Sequence, residues 1–464
     1  MKKSIRRIFV NWFLIPLIFI AITVIIVSLL KKDSNENQKV SIYKNTISVV
    51  PKVNWLVDWT DQPVKRNFIK ELSSEYSFNH QDVKLNVVFS DFSVKTRQAM
   101  QIVNMIKSNI YNWDIVWIDE SVYLVVAQEL NNANWGKDYL VDFQKIEGYM
   151  VTHLPEIIKN TSYRKKTGNI MIGPYLDGFY GVLWYNKKVA DLLGIDVKNK
   201  DMNFDDIIAY AEKIYKYNIN RENKTALFSE STDFNFSYLF QNLLWSEIDR
   251  MGFNTTPPIE SAKNILLNVF TLLEKLGNYN PLIESHMINL WYDAKEAFIN
   301  DKALFLVGKT SLYNELQLMD STNYLHILPA ELPSYEHSKA YYGSFQPTFA
   351  VMKYSPNSEA AVKLIKNISN EKYAEEWIKM TKNPTGLSCD VKENFLDNDP
   401  INNFLVYIAQ KYDFNVRYSI DAGYILGKPN AGLFYLIDEN VKLILTGEIT
   451  AEKALENIIN NLSE

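Results

Sequence analysis

Trp55, Asp58 and Trp59 stand at the end of a β-forming run, Ile47 to Leu56. An aspartate between two tryptophans can accept hydrogen bonds from hydroxyl groups while an indole covers a flat, partly apolar ring. That chemistry is non-covalent grip rather than bond-making. The same two tryptophans would serve equally well as core. A second carboxylate group, Asp119 and Glu120, follows a short apolar run at Trp113–Ile118. Side chains there could meet a ligand, or they could cap and open the helix that starts near Val122.

Other chemistries find little support. The chain has five histidines, His80, His153, His286, His326 and His337, with no HExxH pair and no Cys/His cluster, so no transition-metal site is expected. GxGxxG, GxxxxGK[ST] and GxSxG are absent, which argues against dinucleotide, P-loop and hydrolase sites. No cofactor is expected. Asp397-Asn398-Asp399 begins like a calcium loop, but Pro400 and the lack of the Gly and Glu break the pattern, and it reads as a turn. A glycosidase needs two carboxylates facing each other across a cleft, and none of the 54 acidic residues is singled out for that role. The net charge of −5 gives no case for nucleic acid.

The elements that must position these residues alternate. Ile47–Leu56 reads as a strand, the segment from Asp61 to Ser74 as a helix, Val83–Phe89 as a strand and Thr96–Ser108 as a helix. Trp113–Ile118 reads as a strand, with a helix from Val122. This βαβαβα opening predicts an α/β fold with a parallel sheet and right-handed crossovers. Strands are also expected at Gly181–Tyr185, 303–307 and 347–352. Helices are expected near 187–194, 204–217, 259–276, 357–369 and 371–381, and at Leu433–Leu445 and Ala451–Leu462. Hydrophobic residues make up 47% of the chain, enough for a substantial core in one large or two medium domains, and Cys389 as the only cysteine allows no intrachain disulfide.

The first 32 residues fix the expected location. Trp12–Leu30 carries no charge and lies between Lys2, Lys3, Arg6, Arg7 and Lys31, Lys32. At ~1.5 Å per residue it would span ~28 Å as a helix, close to the hydrocarbon thickness of a bilayer. No Ala-x-Ala site ends the run and no cysteine follows it, so it reads as an uncleaved signal anchor with the N-terminus inside. Residues 33–46 are polar and aperiodic and read as a tether. The remainder is expected on the extracellular face of the cell membrane.

From Asn169 onward, five segments come in a familiar order. NIMIGPYLDGFYGVLWYNKKVADLLGI, DMNFDDIIAYAEKI, EAFINDKALFLVGKTSLYNEL, GSFQPTFAVMKYSPNSEAAVKLIKNISNEKYAEEWI and ILTGEITAEKALENI resemble the hallmark segments of the extracellular solute-binding proteins of bacterial ABC importers. The likeness is to the sugar-binding, maltodextrin-binding-protein-like family, over roughly residues 47–464. The resemblance implies a two-lobed periplasmic-binding-protein-like fold of type II, preceded here by the N-terminal transmembrane helix. Three hinge crossovers would fall near Asp177, Phe345 and Pro384. Lobe 1 would hold 47–177 plus 346–383, and lobe 2 178–345 plus 384–464. Closure on a ligand between the lobes would be hinge motion.

What the resemblance implies about function is capture of a small solute, most often a carbohydrate, by a monomer that hands it to ABC permease subunits, with no catalysis. An anchored carbohydrate-active enzyme and a ligand sensor for a membrane kinase are the alternatives. The family's habit of reaching its ligand from the hinge points to Tyr175, Asp177 and Phe179. Its backbone contacts at the second crossover point to Gly343, Ser344 and Phe345, and its platform near the penultimate helix aligns with Phe434 and Tyr435. It also commonly has an aromatic platform just after the position of Gly308. Here Lys309, Thr310 and Ser311 stand in that place, which leaves room for a solute other than a standard oligosaccharide.

Overall fold

Ile115, Val116 and Trp117 form a three-residue strand of a four-stranded sheet, and all three are buried. The computed structural model describes residues 50–60, 62–90, 95–159, 164, 167–230, 236–253, 257–283, 290–335, 337–389, 399–412, 416–417, 425–426 and 434–463. The predicted anchor at Trp12–Leu30 and the tether lie outside them. Among the described residues, no helix is long and apolar enough to cross a membrane.

The opening alternation is present as β1 (Lys52–Val57), α1 (Pro63–Asn79), β2 (Lys84–Phe89), α2 (Lys95–Ser108), β3 (Ile115–Trp117) and α3 (Glu120–Glu129). β1 lies between β2 and β3 and is parallel to both, as expected for a βαβ series. Pro63 starts α1 at a position where no amide hydrogen is needed. Phe68, Ile69, Leu72 and Tyr76 recur at helical spacing and bury one face of it.

β4 (Asp177–Asn186) begins a second sheet, followed by β5 (Ala226–Phe228), α4 (Phe236–Arg250), α5 (Ile259–Gly277), β6 (Ala303–Lys309), β7 (Ile327–Ala330) and β8 (Tyr341–Gln346). β4 is its centre and pairs antiparallel with β6, β7 and β8. The chain then returns to the first sheet: β9 (Phe349–Val351) pairs antiparallel with β3, Val116 opposite Ala350. After it come α6 (Ser358–Ile368) and α7 (Glu371–Thr381), of which α7 packs on α1. Last come α8 (Pro400–Tyr412), β10 (Val416–Arg417), which pairs with β8, α9 (Phe434–Leu445) and α10 (Ala451–Ser463). α9 and α10 pack on α5.

Three segments run side by side between the sheets. Thr348 N–H donates to Pro174 O at 3.0 Å, and Gly386 N–H donates to Tyr175 O at 2.8 Å. Asp177 N–H donates to Thr348 Oγ1 at 3.3 Å, and Thr385 Oγ1–H to Tyr175 O at 3.3 Å. Gly178 sits where these segments press closest: a Cβ there would lie 2.8 Å from Pro384 O and 2.7 Å from the Phe345 ring. Asp399, part of the predicted turn, accepts the Ile401 amide at 2.8 Å and opens α8. Asp397 and Asn398 lie outside the described residues.

Candidate functional site between the two sheets

Side chains two apart on a strand share a face. On β4 this puts Asp177, Phe179 and Gly181 together. Across the ladder with β8, Ser344 stands opposite Phe179 and Gln346 opposite Asp177. Across the ladder with β6, Lys309 stands opposite Gly181. Lys309 Nζ lies 4.8 Å from the centre of the Phe179 ring. Tyr238 of α4 stacks on Tyr342 at 5.5 Å and meets Phe179 at 6.0 Å, with Lys309 Nζ 5.6 Å from its own ring.

The line continues toward the first sheet through Lys65 of α1. Its Nζ pairs with Asp177 Oδ2 at 2.6 Å and lies over the rings of Trp59 and Trp377, at 5.6 and 5.7 Å. The two indoles lie 5.4 Å apart, and Trp59 meets the Phe349 ring edge-on at 5.7 Å. Trp59 holds φ at +72°, a left-handed conformation uncommon for a residue with a bulky side chain. Asp177 Oδ1 is buried and has no hydrogen-bond partner among the described residues.

Burial dominates the electrostatics here. It pushes the Lys65 ammonium below the usual lysine value, against the stabilising charge and hydrogen bond of Asp177. Lys309 is pushed down for the same reason, against Asp177 and Glu315. Tyr238 is pushed up by burial, then by Glu230 and Glu315.

The sequence-predicted residues fall into separate places. Asp177, Phe179 and Ser344 share the face just described, and Trp59 joins it through Lys65. Trp55 is fully buried, with its ring 4.8 Å from that of Phe349 in an edge-on contact. Asp58 is buried and accepts from the Thr60 amide and hydroxyl at 3.0 and 2.8 Å. Asp119 caps α3, accepting from the Val122 amide at 2.8 Å, and Glu120 is the first residue of that helix. Tyr175 is fully buried and takes part in the crossover bonds. Gly343 and Phe345 are paired with Tyr180 and Gly178, and Phe345 packs edge-on against the Tyr180 ring, on the opposite face from Ser344. Phe434 and Tyr435 start α9, with side chains outside the described residues.

Sequence reasoning missed Lys65, Tyr238, Tyr342 and Trp377, and it took Lys309 only as a missing aromatic. Thr310, also in that place, is fully buried and donates to Asn383 Oδ1 at 2.9 Å, tying the end of β6 to the third crossover segment. Among the described residues, no group of three or more His, Cys, Asp or Glu side chains is arranged to hold a metal ion. The arrangement offers aromatic faces, hydrogen-bonding oxygens and two ammonium groups.

The family described as bacterial extracellular solute-binding protein matches residues 74–397. No curated protein matches the chain. Among solved structures, the GacH receptor of Streptomyces glaucescens, solved unliganded and with acarbose, has a TM-score of 0.60 at 16% identity, covering 88% of this chain and 97% of that one. Maltose-bound MalE3 of T. maritima has a TM-score of 0.60 at 17% identity, with 89% and 99% covered. The cyclic α-maltosyl-1,6-maltose binding protein of Arthrobacter globiformis has a TM-score of 0.64 at 13% identity, with 89% and 98% covered. These likenesses show a shared mixed α/β, two-lobed fold.

Proposed function

The chain belongs to the bacterial extracellular solute-binding proteins, and from that premise we propose that it captures a saccharide between its two lobes and delivers it to an ABC permease, as a monomer and without chemical change. The observation that carries this reading is the continuous line Trp59–Lys65–Asp177–Phe179–Tyr238, in which flat aromatic faces border a carboxylate oxygen left without a hydrogen-bond partner. Sugar rings need both kinds of surface. The structural neighbours solved with acarbose and with maltose support the same solute class.

The lobes we assign are 47–177 plus 346–383 and 178–345 plus 384–464. Support comes from β9 and α7, which pack with the first sheet and its helices although they follow β8 in sequence. Trp59, Asp177, Phe179 and Ser344 are assigned to the ligand, together with Phe434 at the start of α9. Trp12–Leu30 is assigned as the membrane anchor that holds the lobes at the outer face.

The test is a thermal-shift screen of the full-length chain in detergent against sugars, polyols, amino acids and peptides. A ligand that binds only the folded state adds about 2.7 kcal/mol at 100 times its Kd. A shift with one sugar class, recovery of the sugar unchanged, and loss of the shift in Trp59→Ala or Phe434→Ala is the expected result. Conversion of the sugar would make the protein an enzyme. Absence of a shift with every sugar would overturn the saccharide assignment.

A further inference from the structure

Lys309 and Asp177 present opposite needs on one face of β4. Lys309 makes no ion pair among the described residues, and its contacts are the rings of Phe179 and Tyr238. Asp177 Oδ2 is taken by Lys65, while Oδ1 has no donor among the described residues. A neutral sugar could supply hydroxyl donors to Oδ1 but would leave the Lys309 ammonium without a counter-charge. Asp177 and Glu315 act on Lys309 through space, and each is already paired with another lysine. Glu315 is paired with Lys295 at 3.0 Å. Glu230 acts on Tyr238 but is not among the charges that move Lys309. The central group of Lys65, Asp177 and Lys309 therefore carries one excess positive charge.

We propose that the solute is an acidic saccharide whose carboxylate pairs with Lys309 while a hydroxyl donates to Asp177 Oδ1 and a ring face lies on Phe179 or Tyr238. This rests on the saccharide reading above and narrows it. The buried ammonium is a better partner for an anion than an exposed one, because water screens it less. Burial that lowers the Lys309 pKa is the cost that an incoming carboxylate offsets.

The experiment is calorimetric titration of the full-length chain in detergent with di- and trisaccharides of galacturonate, glucuronate and mannuronate, each beside its neutral hexose counterpart. Lys309→Met and Lys309→Arg are titrated in parallel, with melting curves to show that both variants fold. At least one uronate is expected to bind tenfold or more tighter than its neutral counterpart, with the preference weakened by salt, abolished in Lys309→Met and retained in Lys309→Arg. Tighter binding of a neutral sugar than of every uronate would overturn the proposal and leave the saccharide reading standing. A uronate preference unchanged in Lys309→Met would overturn it as well. Failure of every sugar, neutral or acidic, would overturn both readings.

Discussion

Lys65 Nζ and Asp177 Oδ2 meet at 2.6 Å although 112 positions separate them in the chain. One comes from a helix that packs against the first sheet, and the other opens the central strand of the second. Both side chains are largely buried, at 11% and 19% exposure. Breaking such a pair costs more than the pair contributes, because the remaining charge stays buried. Asp177→Asn is therefore expected to lower stability by about 3 kcal/mol, and Lys65→Met/Asp177→Asn together by much less. Urea unfolding of the two single variants and the double variant measures this. Additive losses would show that the pair is not coupled.

His153 supplies a pH dependence of known sign. Its Nε2 accepts the Tyr175 amide at 3.4 Å, beside the crossover. Burial pushes the imidazole down to about 3, against a hydrogen bond that the ring donates to the Tyr149 backbone. The unfolded chain, with an ordinary value near 6.5, binds the proton first as acid is added. The contribution of neutral His153 is thus complete above about pH 6.5 and is lost as the pH falls toward 3. His153→Gln keeps an acceptor and does not titrate. The difference in melting temperature between wild type and His153→Gln should shift against the wild type from pH 7.5 to 5. A constant difference over that range would show that the ring does not titrate as described.

Gly173 and Gly148 should respond differently to the same change. A Cβ on Gly173 would sit 1.7 Å from the Phe349 carbonyl oxygen, which belongs to the β9 backbone and cannot step aside. Gly148 has open space around it and only a positive φ, +72°. Gly173→Ala is expected to cost about 3 kcal/mol or more, and Gly148→Ala about 1 kcal/mol. Denaturant midpoints for the two variants would decide it, and equal losses would contradict the close approach.

Glu331 anchors the helix Pro400–Tyr412. Fully buried, its carboxylate accepts from Lys411 Nζ at 2.7 Å, from the Tyr407 hydroxyl at 2.8 Å, from the Asp201 amide at 2.7 Å and from the Tyr412 hydroxyl. Glu331→Ala removes all four of these bonds and leaves Lys411 Nζ with Asp201 Oδ1 alone, at 2.9 Å, with an expected loss of about 3 kcal/mol or more. Hydrogen exchange should speed up most in that helix. Unchanged protection there would show that the helix is held by its apolar face alone.

The opening βαβαβα alternation was legible because each of its elements shows its own period. α5 was equally clear, with Ile265, Leu266, Val269, Phe270 and Leu273 buried along one side. α4 was not, because it is enclosed on nearly every side: Gln241, Asn242, Ser246 and Glu247 are buried alongside Leu243 and Leu244, and that erases the polar stripe. α8 went unread because its capping Asp399 looked like a turn and nothing more. β8 was hidden by Gly343 and Ser344, which interrupt its apolar run. At the site, Asp177, Phe179 and Ser344 were reached only through the family likeness. Lys65 and Lys309 were missed because an isolated lysine in sequence reads as solvent-facing. Only the register of β4 against β6 and the packing of α1 make them neighbours.

The antiparallel seam between β3 and β9 sets an order of events for a chain that emerges N-terminus first. Ile115 faces Val351 across that seam, with every strand of the second sheet except β10 encoded between them. Until residue 351 has been released, β3 presents an open row of amides and carbonyls along its edge, flanked by apolar side chains. Open edges of this kind invite pairing with other chains. The early part of the molecule is therefore made long before it can be closed, and its safe passage depends on how it is held during that interval.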